Sequence, residues 1–340
     1  MAAAALELTR GQILGHRRAA GALDERLAAG PDSIRAAAWA GLQDSMPRAA
    51  LLSIHARVSG TLPSTWEDPS LVQVWGPRYS AYVVAALDVA VFTLGRIPED
   101  AGGRNRAERL ADRLDAFLAG RKMSYSEAGH ALGVHPNSLR YAAPTGRLLI
   151  RWEGARRPTI WMVPAPTTDP RDARLELVRR YLHVFGPGTV EGFGEWAGVK
   201  PPAARKAFDA LEGSLVAART PIGEGWILAE DEAGFRAPIA LAAPARLLPS
   251  GDAYHLLQGA ERELLVPDPA RRRLLWTPRV WPGALLVEGE IAGTWRRSEG
   301  DVTVAPWRPL SAAEAAVVEA EAVALPLPGV PAPIRVSWER

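Results

Sequence analysis

"SYSEAGHALGVHPNSLR", residues 124–140, returns 65 positions later as "TVEGFGEWAGVKPPAAR", residues 189–205. Ser124 falls on Thr189, Gly133 on Gly198, Val134 on Val199 and Pro136 on Pro201. Ser and Thr cap helix starts, Gly breaks helices at turns, and Pro opens the next helix. Each copy therefore reads as a short helix, a turn and a second helix. The spacing of Ser124 and Glu127 predicts a capping box at the first of these helices.

The repeat extends in both directions. Upstream, "LADRLDAFLAG" is matched at the same offset by "LELVRRYLHVF", both amphipathic helices. Downstream, Trp161 falls on Trp226, within β-rich arms around "EGARRP" and "PIGEG" that read as hairpins. Helix, helix, turn, helix and hairpin make a winged helix, a unit that commonly lays its third helix in the DNA major groove. The N-terminal region fits a looser copy. "TRGQILGHRRAAGAL", "DSIRAAAWAGL" and "PRAALLSIHARV" read as helices, "VQVWGPRYSAYVVA" as a hairpin and "ALDVAVFTLGRIP" as a further helix. After residue 235, "RLLWTPRVWPGALLVEGEIAGTWRRSEGDVTVAPW" reads as strands, followed by a helix from Ser311 to about Ala324. The expectation is a helix-rich α+β chain of three tandem winged helices, at 1–101, 102–168 and 169–235, and a small, mostly β C-terminal domain at 236–340.

Composition narrows the chemistry. The chain has 340 residues, 48% hydrophobic and 23% charged, an ordinary globular balance. There is no cysteine, which excludes disulfides, thiolate zinc sites, iron–sulfur clusters and a cysteine nucleophile. The longest apolar runs are too short and too charged for a membrane span, and the first residues lack a signal-peptide pattern, so a cytoplasmic protein is expected. The six histidines (His16, His55, His130, His135, His183, His255) show no HxxxH or HxE spacing and read as surface or packing residues. No phosphate-cradling GxxxxGK[ST] loop or GxSxG elbow occurs. No metal and no nucleotide cofactor is expected.

Charge is unevenly placed. Overall it is +2, but Arg104 to Arg157 holds 11 Lys or Arg against 5 Asp or Glu, so +6. Arg140, Arg147, Arg156 and Arg157 fall on the third helix, its end and the wing of the middle unit. They serve either phosphate contacts or a solvated surface.

A second stretch, "AGLQDSMPRAALL" (40–52), places Gln43, Asp44 and Ser45 before Pro47 and the apolar helical spacing of Ala49, Ala50, Ile54 and Val58. The triplet caps the helix that Pro47 opens, carries chemistry, or does both.

The turn "LQ-x-x-x-P-R-A-A-L-L-S", with "FGPGTVEGFGEWAGV", "DAYHLLQGAERELLVPD" and "VEGEIAGTWRR…VTV", resembles the winged-helix DNA glycosylases of the AlkZ/YcaQ type, from about residue 7 to 325. The resemblance implies a concave basic channel for double-stranded DNA carrying damaged bases. It also implies hydrolysis of the N-glycosidic bond of alkylated or crosslinked purines. The family's catalytic motif, Gln, an apolar residue, then Gln or Asp, falls on Gln43, Asp44 and Ser45. Here the middle position is charged and the third is a hydroxyl. Residues two apart in an extended turn face the same way, so Gln43 and Ser45 are expected to share a cleft. Arg48, Arg140, Arg147, Arg156, Arg157, Arg205, Arg296 and Arg297 are the expected DNA contacts, and a monomer is expected. The alternative from another class is a non-catalytic DNA-binding protein, a regulator or lesion binder, consistent with the altered motif.

Overall fold

The computed structural model describes residues 5–46, 48–154, 157–330 and 333–339. Pro47 and Arg156 lie outside the described residues. The fold is a mixed, helix-rich α/β assembly of helices around three sheets.

The N-terminal part runs β1 (Leu6–Glu7), α1 (Arg10–Ala20), α2 (Pro31–Ala37), β2 (Leu42–Gln43), α3 (Ala49–Arg57), the hairpin β3 (Leu71–Trp75) and β4 (Ala81–Ala85), and α4 (Val89–Thr93). Thr9 and Gln12 form a capping box that starts α1. Every residue of α3 is buried, because the helix lies between the N-terminal helices and the C-terminal sheet.

The middle part is α5 (Ala101–Leu118), β5 (Met123–Ser124), α6 (Tyr125–Ala131), a 3-10 helix Pro136–Thr145, and the hairpin β6 (Leu148–Arg151) and β7 (Thr159–Met162). Two local expectations need correction. Ser124 caps α6 through the N–H of Ser126, not through a reciprocal pair with Glu127. The helix after the turn is 3-10 throughout, and it carries Pro144 inside, which lacks the N–H that an α-helical ladder needs.

The repeat is clearest in the third part: α7 (Pro170–Phe185), α8 (Val190–Ala197), α9 (Pro201–Leu211), β8 (Leu215–Thr220) and β9 (Gly223–Leu228), followed by α10 (Glu232–Arg236). Gly133 and Gly198 both sit at positive φ, 68° and 70°, as turn glycines should. The period slips inside the hairpins. Trp161 pairs with Leu149, whereas Trp226 pairs with Ala217, so the first strand of the third part is displaced by three residues relative to the 65-residue period (217 − 149 = 68).

Sheet topology ties these parts together. One antiparallel six-stranded sheet has the order β2-β4-β3-β6-β7-β5, joining the N-terminal and middle hairpins where Gln73 faces Ile150. The chain's first strand instead pairs in parallel with β8 of the third part, Leu6 opposite Ala218.

The C-terminal part holds β10 (Ala245–Leu248), α11 (Glu261–Leu265), α12 (Pro269–Leu275), β11 (Gly283–Val287), β12 (Glu290–Ser298), β13 (Asp301–Pro306), α13 (Ala312–Val323) and β14 (Arg335–Trp338). Its strands form one sheet in the order β10 to β14. Arg273–Leu275, read from sequence as the start of a strand, ends α12, which Asp268 caps and Pro269 opens. The helix expected from Ser311 is α13, which Ser311 starts with a full capping box with Glu314. The largest core cluster joins Tyr181, Phe185, Phe193 and Trp196 of the third part to Tyr82 and Phe92 of the N-terminal part and to Leu248 and Leu286 of the C-terminal sheet. No helix among the described residues is long and apolar enough to cross a membrane.

Candidate active site

Gln43 ends β2, where its backbone faces Tyr82 of β4. The pairing continues one residue further, with the Asp44 N–H donating to the Ala81 carbonyl at 2.8 Å. Strand geometry therefore still governs the triplet, and side chains alternate. Asp44 points inward and is fully buried, Ser45 is exposed, and Gln43 is half-buried.

The two polar groups of the turn have different surroundings. Arg78 donates from Nη2 to Gln43 Oε1 at 3.2 Å. On its other side Gln43 closes on Gly251, where a Cβ would come within 3.0 Å of Nε2 and where φ is +77°. Glycine is needed there on both counts. Arg78 is itself placed by the third part of the fold. It sits in the β3–β4 turn at φ 53°, and a Cβ on Gly198 would lie 3.1 Å from its backbone nitrogen. The buried Arg96 fixes that approach, donating to the Ala197 and Trp75 carbonyls.

Asp44 has a structural task. Its Oδ1 accepts the Ala50 N–H at 3.0 Å, satisfying a free donor at the start of α3. Its Oδ2 accepts from Gln73 Nε2 at 2.6 Å, while Gln73 Oε1 accepts the Trp152 N–H at 2.7 Å. Burial raises the Asp44 carboxyl to about 6, partly opposed by the Ala50 N–H, Arg48, Gln73 and Arg151.

Cations surround the turn. Arg48, in the left-handed conformation at φ 64° beside the start of α3, lays its guanidinium 3.9 Å from the Trp66 ring centroid. Arg151 lies 3.6 Å from the same ring. Burial lowers the Arg297 and Arg151 pKa values, and nearby Arg48 lowers them further. Arg296 and Arg297 line a cleft of about 380 Å³ with Met46, Ala49, Trp281 and Trp295, next to the turn. Clustered cations beside a polar, half-open turn suit a polyanion.

Residues 36–326 match the family profile described as DNA glycosylase AlkZ-like. The chain belongs to the AlkZ-like DNA glycosylase family. It is 26% identical over 160 residues to the interstrand DNA cross-link repair glycosylase of Streptomyces sahachiroi, a match covering 45% of this chain and 42% of that protein. Over its whole length it shares the fold of the solved Streptomyces sahachiroi DNA glycosylase AlkZ, with TM-score 0.75, 18% identity, and coverage of 98% of this chain and 100% of that one.

The expected DNA contacts fall into two groups. Arg48, Arg296 and Arg297 lie beside the turn. Arg156 lies outside the described residues, and the other four have local partners elsewhere. Arg147 is paired with Asp112 and Asp115, Arg205 with Glu191 at 3.2 Å, Arg140 with Asn137 at 3.0 Å, and Arg157 with the Ser126 hydroxyl. Sequence reasoning missed Arg78, Arg151, Trp66 and Gln73. Only Gln73 carried a signal, a lone amide inside the apolar run "LVQVW".

Proposed function

We propose that this protein is a DNA glycosylase that hydrolyses the N-glycosidic bond of N-alkylated or crosslinked purines in double-stranded DNA. In this reading residues 1–101, 102–168 and 169–235 act as winged helices that cradle the duplex, and residues 236–340 close the cleft. It works as a cytoplasmic monomer, and its reaction needs no metal or cofactor. The observation that carries the reading is Gln43, half-exposed at a strand end between Arg78 and Gly251, with Arg48 and Arg151 near the same turn.

Cleavage builds positive charge on the sugar and needs a water held at its open face. The Gln43 amide positions that water, with the Ser45 hydroxyl on the same side of the alternating turn. As the C1′–N bond breaks, its electron pair leaves with the base. Water oxygen bonds C1′ and its proton passes to solvent. An alkylated purine already carries positive charge and leaves readily, so an amide and a hydroxyl suffice without a carboxylate base.

A second reading, a non-catalytic DNA-binding protein, is favoured by one observation. The only carboxylate of the triplet is buried and committed to Ala50 and Gln73. Incubation with duplexes carrying 7-methylguanine, followed by hot alkali, separates the two. Strand breaks above the buffer control are expected. Retained DNA binding with no breaks would favour the second reading.

A further inference from the structure

His16, His183 and Asp231 come from three distant parts of the chain: α1, α7 and the turn before α10. Each offers one ligand atom, and these atoms all lie within 4.8 Å of one another. We propose that His16, His183 and Asp231 form a zinc-type divalent metal site that ties the N-terminal helix to the third part of the fold.

The donor set suits that class of ion. Two imidazoles and one carboxylate are a common three-ligand set for Zn²⁺, with water completing the tetrahedron. His183 Nδ1 and Asp231 Oδ1 stand 2.7 Å apart, close to the ~3.3 Å ligand–ligand edge that bonds of ~2.0 Å imply. The 4.8 Å limit on the three ligand atoms requires closure by roughly 1.5 Å, within reach of side-chain rotation.

The surroundings carry more than the triad. His16 Nε2 lies 3.0 Å from the His183 carbonyl. A neutral ring donating there keeps its lone pair on Nδ1, and a backbone carbonyl is the usual outer partner of a metal-bound imidazole. His16 Nδ1 faces Gly234, where a Cβ would come within 3.0 Å, so the glycine keeps that side open. Stacking on Phe235 at 3.8 Å fixes the ring plane. Asp231 is 8% exposed, and its Oδ2 is buried with no hydrogen-bond partner. A simple His183–Asp231 hydrogen bond leaves that oxygen unexplained, whereas a metal held by both carboxylate oxygens would use it. The neighbouring Arg17 is directed away, onto the Phe185 and Gly186 carbonyls. An entry path exists, because His183 lines a cleft with Trp39, Gly21 and Ala22.

The test uses the full chain, stripped of metal by chelator and dialysed, then titrated with Zn²⁺ by calorimetry. One equivalent bound at micromolar Kd or tighter is expected, with a melting temperature that Zn²⁺ raises and chelator restores. Asp231→Asn keeps an acceptor for His183, so it should fold, yet bind Zn²⁺ at least tenfold more weakly and lose the Zn²⁺-dependent shift. Gly234→Ala, which alters no ligand, should weaken binding by crowding His16. Failure of the parent chain to bind Zn²⁺, or an unchanged Kd in Asp231→Asn, would overturn the proposal. Neither outcome depends on glycosylase activity.

Discussion

Asp44→Asn should remove one component of the pH dependence of stability and leave the rest in place. Burial raises the Asp44 carboxyl from 3.8 to about 6. Between those values the folded protein holds a proton that the unfolded chain has released. Its contribution is therefore fully present below pH 4 and is lost as pH rises through 6. Two pKa units correspond to about 3 kcal/mol. An Asn amide carries no such cost. Its oxygen can still accept the Ala50 N–H, but its NH₂ meets Gln73 Nε2, another donor. Gln73 cannot turn over to help, because its Oε1 already accepts from Trp152. That mismatch costs about 1–3 kcal/mol at every pH. The variant should be the weaker protein at pH 4 and nearly match the parent at pH 7. Buried His55 and His255, both lowered to about 4, act in the opposite direction. Their contribution is present above pH 6.5 and lost as pH falls toward 4, and it cancels when the two proteins are compared. Melting temperatures from pH 4 to 7.5 should show the difference moving by ~6 °C in the variant's favour, at about 2 °C per kcal/mol for a large domain. A difference that stays flat across that window would refute the assignment of a buried, strained carboxylate.

Gln43→Ala should abolish base excision while DNA affinity and melting stay near the parent's, because Gln43 caps no helix; full excision activity would move the chemistry elsewhere. Ser45→Ala should cost about tenfold in single-turnover excision, the scale of one positioned hydrogen bond of ~1.4 kcal/mol; an unchanged rate would leave Gln43 as the sole water-holding group of the turn. Replacing Arg48 with Ala should lower the log–log salt slope of DNA binding by about 1, one phosphate. Arg147→Ala should leave that slope unchanged, since Asp112 and Asp115 already neutralise its charge; a drop would place the middle hairpin's base in the interface.

Much of the fold was legible because its signals are local. Caps at Thr9, Asp169, Thr189 and Ser311, the turn glycines and the helix-opening prolines each act within a few residues. What the sequence hid is long-range. Nothing in "LVQVW" says that Gln73 will meet Ile150 and fuse two hairpins into one sheet, or that Leu6 will pair with Ala218. His16 and His183 are 167 positions apart, so a search for short histidine spacings passes over them. The candidate site divides in the same way. Gln43, Asp44 and Ser45 are neighbours and stood out together, but Arg78, Gln73 and Trp66 reach them only through tertiary packing.

The triplet divides between core and surface. Because the β2–β4 pairing extends through Asp44, the pleat directs the middle residue into the core and leaves Gln43 half-buried and Ser45 exposed. An apolar side chain fits there without further support. An aspartate needs two donors, and this chain supplies them as the Ala50 N–H and the Gln73 amide. The carboxylate at position 44 is therefore accommodated in the core. Ser45 lies on the open face, where the proposed function sets its hydroxyl beside Gln43. Under the proposed function, Ser45→Gln or Ser45→Asp, read out on 7-methylguanine duplexes, should raise excision if the shorter side chain limits the rate. An excision rate unchanged in both variants would place the limit at another step.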